Sequence, residues 1–227
     1  MERGSEGSRA GPTYSPKVKI CGVTLADDAA RVAASGADYI GLNFWPKSKR
    51  YLAPERGSLI AGVARSNGAI QVVGVFVDAD LDEVTAVTSQ VDLDIIQLHG
   101  DEHPEDVAAI AAVIKRPVWK AIAIGGPKDI EHLDAWPVEA LLLDTPSTGK
   151  GGSGRTFDWT LARAARQRYG ALKLALAGGL DASNVGAAID AVEPWAVDVA
   201  SGVEIGPGVK DAAKVTAFVA AVRGRAH

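Results

Sequence analysis

Cys21 is the only cysteine in the chain, and it stands between the short run Lys17 to Ile20 and Gly22. A thiol at such a place is either a small buried hydrophobe or, with a lowered pKa, a nucleophile or general base. Asp144 follows Leu141, Leu142 and Leu143. It can cap a turn, or, half-desolvated there, serve as a general acid. His99 can donate to a ligand or be structural, and Arg50 can clamp a carboxylate through two parallel hydrogen bonds or end a solvated basic turn, Lys47 to Arg50. Two glycine sites, Gly178-Gly179 and Ser201-Gly202, each follow an apolar run. Without side chains in the way, backbone N–H groups there can reach phosphate oxygens; the other reading is a tight turn. Gly149 to Gly154 form a G-x-G-G-x-G string. A dinucleotide fingerprint needs a tight strand–turn–helix, which residues 144 to 158 do not provide, so the loop with Gly152 and Gly154 reads as a mobile cover able to lend amides to the same phosphate, the other reading being a plain flexible linker. His99, Asp101 and His103 do not have metal-ligand spacing, and no metal is expected.

These residues need elements to hold them. Eight short runs rich in Val, Ile and Leu recur: Lys17 to Ile20, Tyr39 to Phe44, Gln71 to Val77, Asp94 to Leu98, Val118 to Ile122, Ala140 to Leu143, Leu172 to Leu176 and Ala196 to Val199. Their lack of strict alternation fits strands buried on both faces of a parallel sheet. Between them lie amphipathic, Ala-rich segments: Ala26 to Ser35, Pro54 to Ser66, Asp82 to Gln90, Pro104 to Ile114, Asp158 to Arg168, Asp181 to Ala191 and Lys210 to Val222. Asp158 and Asp181 are N-cap candidates, and Pro127 to Leu133 carries only a faint helical pattern. The repeated βα pattern predicts an α/β fold, a single (β/α)8 TIM barrel over residues 17–227, preceded by a flexible polar extension at 1–16. Chemistry then belongs at the C-terminal ends of the strands, where every candidate above falls.

Composition narrows the classes. The chain has 227 residues, 47% hydrophobic and 23% charged, which is ordinary for a globular domain and excludes a wholly disordered one. A net charge of -4 lacks the basic footprint of nucleic-acid binding. No apolar stretch is long enough for a membrane span, residues 1–16 do not read as a signal peptide, and a single cysteine suits a reducing compartment, so a cytoplasmic location is expected.

Taken together, the strings resemble phosphoribosylanthranilate isomerase of tryptophan biosynthesis. They are Val18 to Thr24 (VKICGVT), Phe44 to Tyr51 (FWPKSKRY), Val73 to Val77 (VGVFV), Ile96 to Gly100 (IQLHG), Leu142 to Thr145 (LLDT), Gly151 to Trp159 (GGSGRTFDW), Ala177 to Leu180 (AGGL) and Val197 to Glu204 (VDVASGVE). The resemblance implies a metal-free, cofactor-free barrel that carries out an Amadori rearrangement. N-(5-phosphoribosyl)anthranilate, an aminoaldose, becomes 1-(2-carboxyphenylamino)-1-deoxyribulose 5-phosphate. It implies that Asp144 protonates the furanose oxygen and that Cys21, as thiolate, removes the C2′ proton. Arg50 would pair with the anthranilate carboxylate, His99 and Asp198 would line the pocket, and Gly152, Gly154, Gly178, Gly179, Ser201 and Gly202 would cradle the phosphate. Ala177 and Ala200 stand where relatives carry serine. What favours the Cys21 thiolate is not visible in the string. The partner implied is the small-molecule substrate, with a monomer or homodimer equally compatible. Two other readings are a histidine-pathway aminoaldose isomerase, which has an aspartate after its first strand, and a non-catalytic phosphosugar-binding barrel, which would dispense with Cys21 or Asp144.

Overall fold

The computed structural model describes residues 14–146 and 158–225. Eight parallel strands close on themselves: β1 (Lys17–Cys21), β2 (Tyr39–Asn43), β3 (Gln71–Phe76), β4 (Ile95–Leu98), β5 (Val118–Ala123), β6 (Ala140–Asp144), β7 (Lys173–Leu176) and β8 (Ala196–Val199), with β8 pairing back to β1. Helices α1 (Ala26–Ala34), α2 (Pro54–Asn67), α3 (Leu81–Gln90), α4 (Pro104–Ile114), α5 (Trp159–Arg168), α6 (Val185–Val192) and α7 (Ala212–Arg223) follow strands 1 to 4 and 6 to 8. The expected (β/α)8 barrel is therefore present, with one departure. Between β5 and β6 the chain makes two 3-10 turns, Pro127–Ile130 and Leu133–Ala135, in place of a helix. Gly126 and Pro127 open that segment, and its few apolar residues do not form a helical stripe.

The strands are apolar on both faces because they separate two cores. Val18, Ile20, Ile40, Leu42, Ile96 and Leu98 are fully buried and pack outward against the helix ring. The alternate residues point inward, as the two-residue period of a strand requires. At the N-terminal end of the barrel they include Tyr39, Val73, Ile95, Trp119 and Ala140, joined by Trp195. The Trp119 ring meets Tyr39 edge-on at 4.9 Å and Trp195 edge-on at 5.4 Å between centroids, plugging that end. Above them sit Ala121, Leu142, Ala175 and Ala177.

Asp158 caps α5 by accepting from the Thr160 amide, as expected. Asp181 does not cap α6 directly. Its carboxylate accepts from the Ser183 and Asn184 amides in a preceding turn, and α6 begins at Val185 with Asn184 at its cap. The last residues before β1 are tied down: the Tyr14 hydroxyl donates to the Pro194 carbonyl, and Arg223 donates to that of Pro16. After β8 comes an unforeseen hairpin, β9 (Glu204–Gly206) and β10 (Val209–Lys210), which folds over the mouth beside β1.

Candidate active site

The inward residues change character at the C-terminal end of the barrel. Where the lower levels carry aromatics and alanines, this level carries Lys19, Cys21, Gln97, Asp144 and Asp198, all but Cys21 among the buried polar groups. The mouth has two sides.

On the first side, Lys19 and Asp198 are paired in register across β1 and β8, so their side chains emerge together. The Lys19 ammonium lies 2.9 Å from Asp198 Oδ1, and the Cys21 thiol follows two residues along the same face, close enough for the two groups to act on each other's charge. Cys21 Sγ packs against Gly41 of β2, where an added Cβ would come within 2.7 Å of the sulfur. The hairpin delivers Lys210, whose ammonium donates to the Cys21 carbonyl at 2.6 Å and to Glu204 Oε1 at 2.7 Å. Glu204 in turn receives Arg50 through Nε (2.8 Å) and Nη2 (2.7 Å). Gly22 permits that reach: its φ is +72°, and a Cβ there would overlap Arg50 Cδ. Glu204 takes the Nε–H and one N–H of Nη2, and the outer N–H groups of Nη1 and Nη2 point away from it.

Electrostatics on this side oppose one another. Burial pushes the Cys21 thiol up and the Asp198 carboxylate adds to this, while the Lys19 and Lys210 ammonium groups pull down without overcoming burial. Burial alone would lower Lys19, yet Asp198 and Cys21 hold it above its ordinary value. Burial likewise would raise Glu204, but Arg50 and Lys210 hold it below the usual range. Lys210 itself is lowered by burial despite Glu204.

On the second side, Asp144 Oδ1 accepts from the Thr145 amide at 2.7 Å, and His99 Nε2 lies 3.2 Å from Oδ2. The Gln97 amide nitrogen is 3.1 Å from His99 Nδ1. With that amide donating to Nδ1, the ring proton sits on Nε2 and faces Asp144. The loop carrying His99 is braced by Glu102, which accepts from the Gly100 amide and pairs with buried Lys120 at 3.1 Å. Gly178 (φ +84°) lies against this side; a Cβ there would overlap Thr145 Oγ1 and stand 2.8 Å from Asp144 Oδ1. Gly179 is also at positive φ, and Gly202 abuts the Leu180 carbonyl, so the loops after β7 and β8 interlock between the two sides.

Of the residues singled out in the sequence, His99 and Asp144 therefore meet directly, and Asp198 and Arg50 join Cys21 through Lys19 and Glu204. Gly152 and Gly154 lie outside the described residues. Asp101 and His103 make other contacts: the Asp101 amide donates to Asp78 Oδ1, and the His103 amide donates to Asp106 Oδ2 at the start of α4. Among the described residues, no group of three or more His, Cys, Asp or Glu could hold a metal ion. Sequence reasoning missed Lys19, Lys210, Glu204 and Gln97. The signal for Lys19 and Gln97 was present in the two-residue strand period that puts them on the faces of Cys21 and His99.

Comparison with known proteins decides the family. Residues 18–221 match the family model described as N-(5'phosphoribosyl)anthranilate (PRA) isomerase. The chain belongs to the N-(5'-phosphoribosyl)anthranilate isomerase family. A Geobacter sp. (strain M21) member is 45% identical over 205 residues, covering 90% of this chain and 96% of the relative. The Thermotoga maritima member is 42% identical over 208 residues, covering 92% and 98%. A crystal structure of the phosphoribosyl anthranilate isomerase from Thermotoga maritima aligns with a TM-score of 0.84 at 41% identity, covering 92% of this chain and 99% of that one. Another, in complex with reduced 1-(o-carboxyphenylamino)-1-deoxyribulose 5-phosphate, aligns with a TM-score of 0.81 at 39% identity, with the same coverage. This isomerase family's chemistry, a step of tryptophan biosynthesis, is the one its mouth must perform. The ordered strings read from the sequence thus lead to the family that these comparisons establish.

Proposed function

We propose that the chain isomerises N-(5'-phosphoribosyl)anthranilate with Asp144 as general acid and Cys21 as general base. One observation carries this division of labour. Around the barrel the order is β6, β7, β8, β1, so the paired glycine loops after β7 and β8 lie between the strand that bears Asp144 and the strand that bears Cys21. A phosphate held by those loops, where barrels commonly hold one, sets a ribose between acid and base. Consecutive positive-φ residues at Gly178 and Gly179 turn the backbone as an anion cradle requires.

The steps balance without a cofactor. Asp144 gives its proton to the furanose oxygen; the C1′–O bond breaks and the nitrogen lone pair forms the protonated Schiff base. The Cys21 thiolate takes the C2′ proton, leaving an enolamine. Loss of the C2′ hydroxyl proton and gain of one at C1′ complete the aminoketose. The His99 Nε2–H, facing Asp144 Oδ2, orients that carboxyl, and the proton lost from the C2′ hydroxyl restores the acid. The outer edge of Arg50 receives the anthranilate carboxylate while its inner edge stays on Glu204. Asp198 acts from beneath through Lys19. A single chain supplies every group named, so either a monomer or a homodimer can work; the reading is of a cytoplasmic enzyme, and no helix among the described residues is long and apolar enough to cross a membrane.

The test is a coupled fluorescence assay in which phosphoribosylanthranilate is formed in place from anthranilate and phosphoribosyl pyrophosphate. Wild type is expected to consume it rapidly, and Cys21→Ala and Asp144→Asn each to lose about 10²–10⁴-fold in kcat. Wild-type turnover in either variant would remove that residue from its role.

A further inference from the structure

Lys19 takes no part in the acid–base pair, yet it is 1% exposed in the middle of the barrel. An ammonium does not sit in such a place without partners, since stripping its water costs several kcal/mol. Asp198 supplies one partner at 2.9 Å, but an ammonium has three N–H donors, and the strand period sets the Cys21 thiol beside it on the same inward face of β1. The charged groups clustered about Cys21 come from separate elements. Lys19 comes from β1, Lys210 from β10 and Arg50 from the loop after β2; the carboxylates are Asp198 from β8 and Glu204 from β9. From β2 itself the neighbour is Gly41, which brings no charge. Three cations thus face two carboxylates. With a neutral thiol the cluster carries one uncompensated positive charge inside the barrel, and with a thiolate it is balanced.

We infer that Lys19 is the positioning residue for the base: clamped by Asp198, its ammonium donates to Cys21 Sγ and keeps the thiolate accessible in a buried site. Lys19 moves no proton in this scheme. It stays an ammonium while Cys21 takes the C2′ proton and releases it again. The use made of the thiolate rests on the isomerase reading above, but the coupling of Lys19 to the thiol does not, and it can be measured without substrate.

Cys21 is the only cysteine in the chain, so the pH dependence of iodoacetamide alkylation, or of thiolate absorbance, reports this group alone. Lys19→Met is expected to raise the thiol midpoint by at least about one pH unit. Asp198→Asn is expected to lower it, because the carboxylate opposing the thiolate is gone while the ammonium remains. Lys19→Arg should stay near wild type. Opposite signs from two partners of one ion pair are what an electrostatic role produces and a packing role does not. A folded Lys19→Met with an unchanged or lowered midpoint overturns the inference. Should Lys19→Met fail to fold, Asp198→Asn decides: a midpoint that does not fall overturns it too. The pH profile of kcat/KM separates the two layers. If the thiol midpoint moves in Lys19→Met but the profile does not, Lys19 keeps its role and Cys21 loses its own as the base.

Discussion

The cysteine side and the aspartate side of the mouth are built from different materials. Around Cys21 the partners are charges brought by five separate segments: Lys19, Asp198, Lys210, Glu204 and Arg50. Around Asp144 the partners among the described residues are a backbone amide, an imidazole and the wall of a glycine. A base that must carry negative charge in a buried place needs cations fixed before substrate arrives, because reorganising them during the reaction would cost part of the barrier. An acid that must hold a proton and hand it over needs placement more than charge. The surroundings of Cys21 should therefore respond to changes of charge at constant shape, and those of Asp144 to changes of shape at constant charge.

The largest expected effect comes from shape. Gly178→Ala adds one methyl group where φ is +84°, where it overlaps Thr145 Oγ1 and crowds Asp144 Oδ1 at 2.8 Å. A displaced acid should lower kcat/KM about a hundredfold, or about 2.7 kcal/mol. The Cys21 alkylation profile should not move. Steady-state kinetics within threefold of wild type would break the contrast on this side.

Arg50→Ala gives a smaller effect of a different kind. It removes the group expected to hold the anthranilate carboxylate, away from the reacting carbons, while Glu204 keeps Lys210 as a partner at 2.7 Å. KM should rise about tenfold, close to 1.4 kcal/mol, with a lesser change in kcat. An unchanged KM would sink the assignment.

The same contrast governs what the sequence made legible. The eight strands are visible because each is buried on two faces, so runs such as Gln71 to Val77 or Ala140 to Leu143 stand out against the Ala-rich helices. Asp144 and Gly178 could be picked out because a polar or glycine residue ending an apolar run is conspicuous. Lys19 could not. A lysine near a strand start reads as a solvent-facing end, and Lys17, two residues earlier, is one, paired with Asp38 at the surface. What barrel closure adds is the partner, since it sets Asp198 of β8 beside Lys19 of β1. Glu204 and Lys210 escaped for a related reason: the hairpin that aims them is made by Gly206, Pro207 and Gly208, which read as a plain turn. Asp181 was misplaced as a helix cap because an Asp-x-x-Asn string caps a turn as readily as it opens a helix. Long-range charge pairing is thus the part of the site that a linear string conceals.

Glu204→Gln tests the smallest piece of the cysteine side, the charge that joins Arg50 to Lys210. The side chain keeps its shape and one acceptor oxygen but loses its negative charge. Burial raises the Glu204 carboxyl, and the Arg50 and Lys210 cations lower it more, so its value in the folded chain lies below the ordinary 4.5. A group depressed in the folded state adds stability above its unfolded value and loses it as pH falls through the folded one. The variant should accordingly be less stable than wild type near neutral pH by about 1 kcal/mol, the net worth of a hydrogen-bonded contact of this kind. That gap should close in acid, once the pH has fallen through the depressed folded-state value and wild type carries a protonated Glu204 as well. Urea unfolding at both pH values measures it. A gap that persists unchanged in acid would mean that Glu204 holds the hairpin by shape, and the cysteine side would then differ from the aspartate side less than its charges suggest.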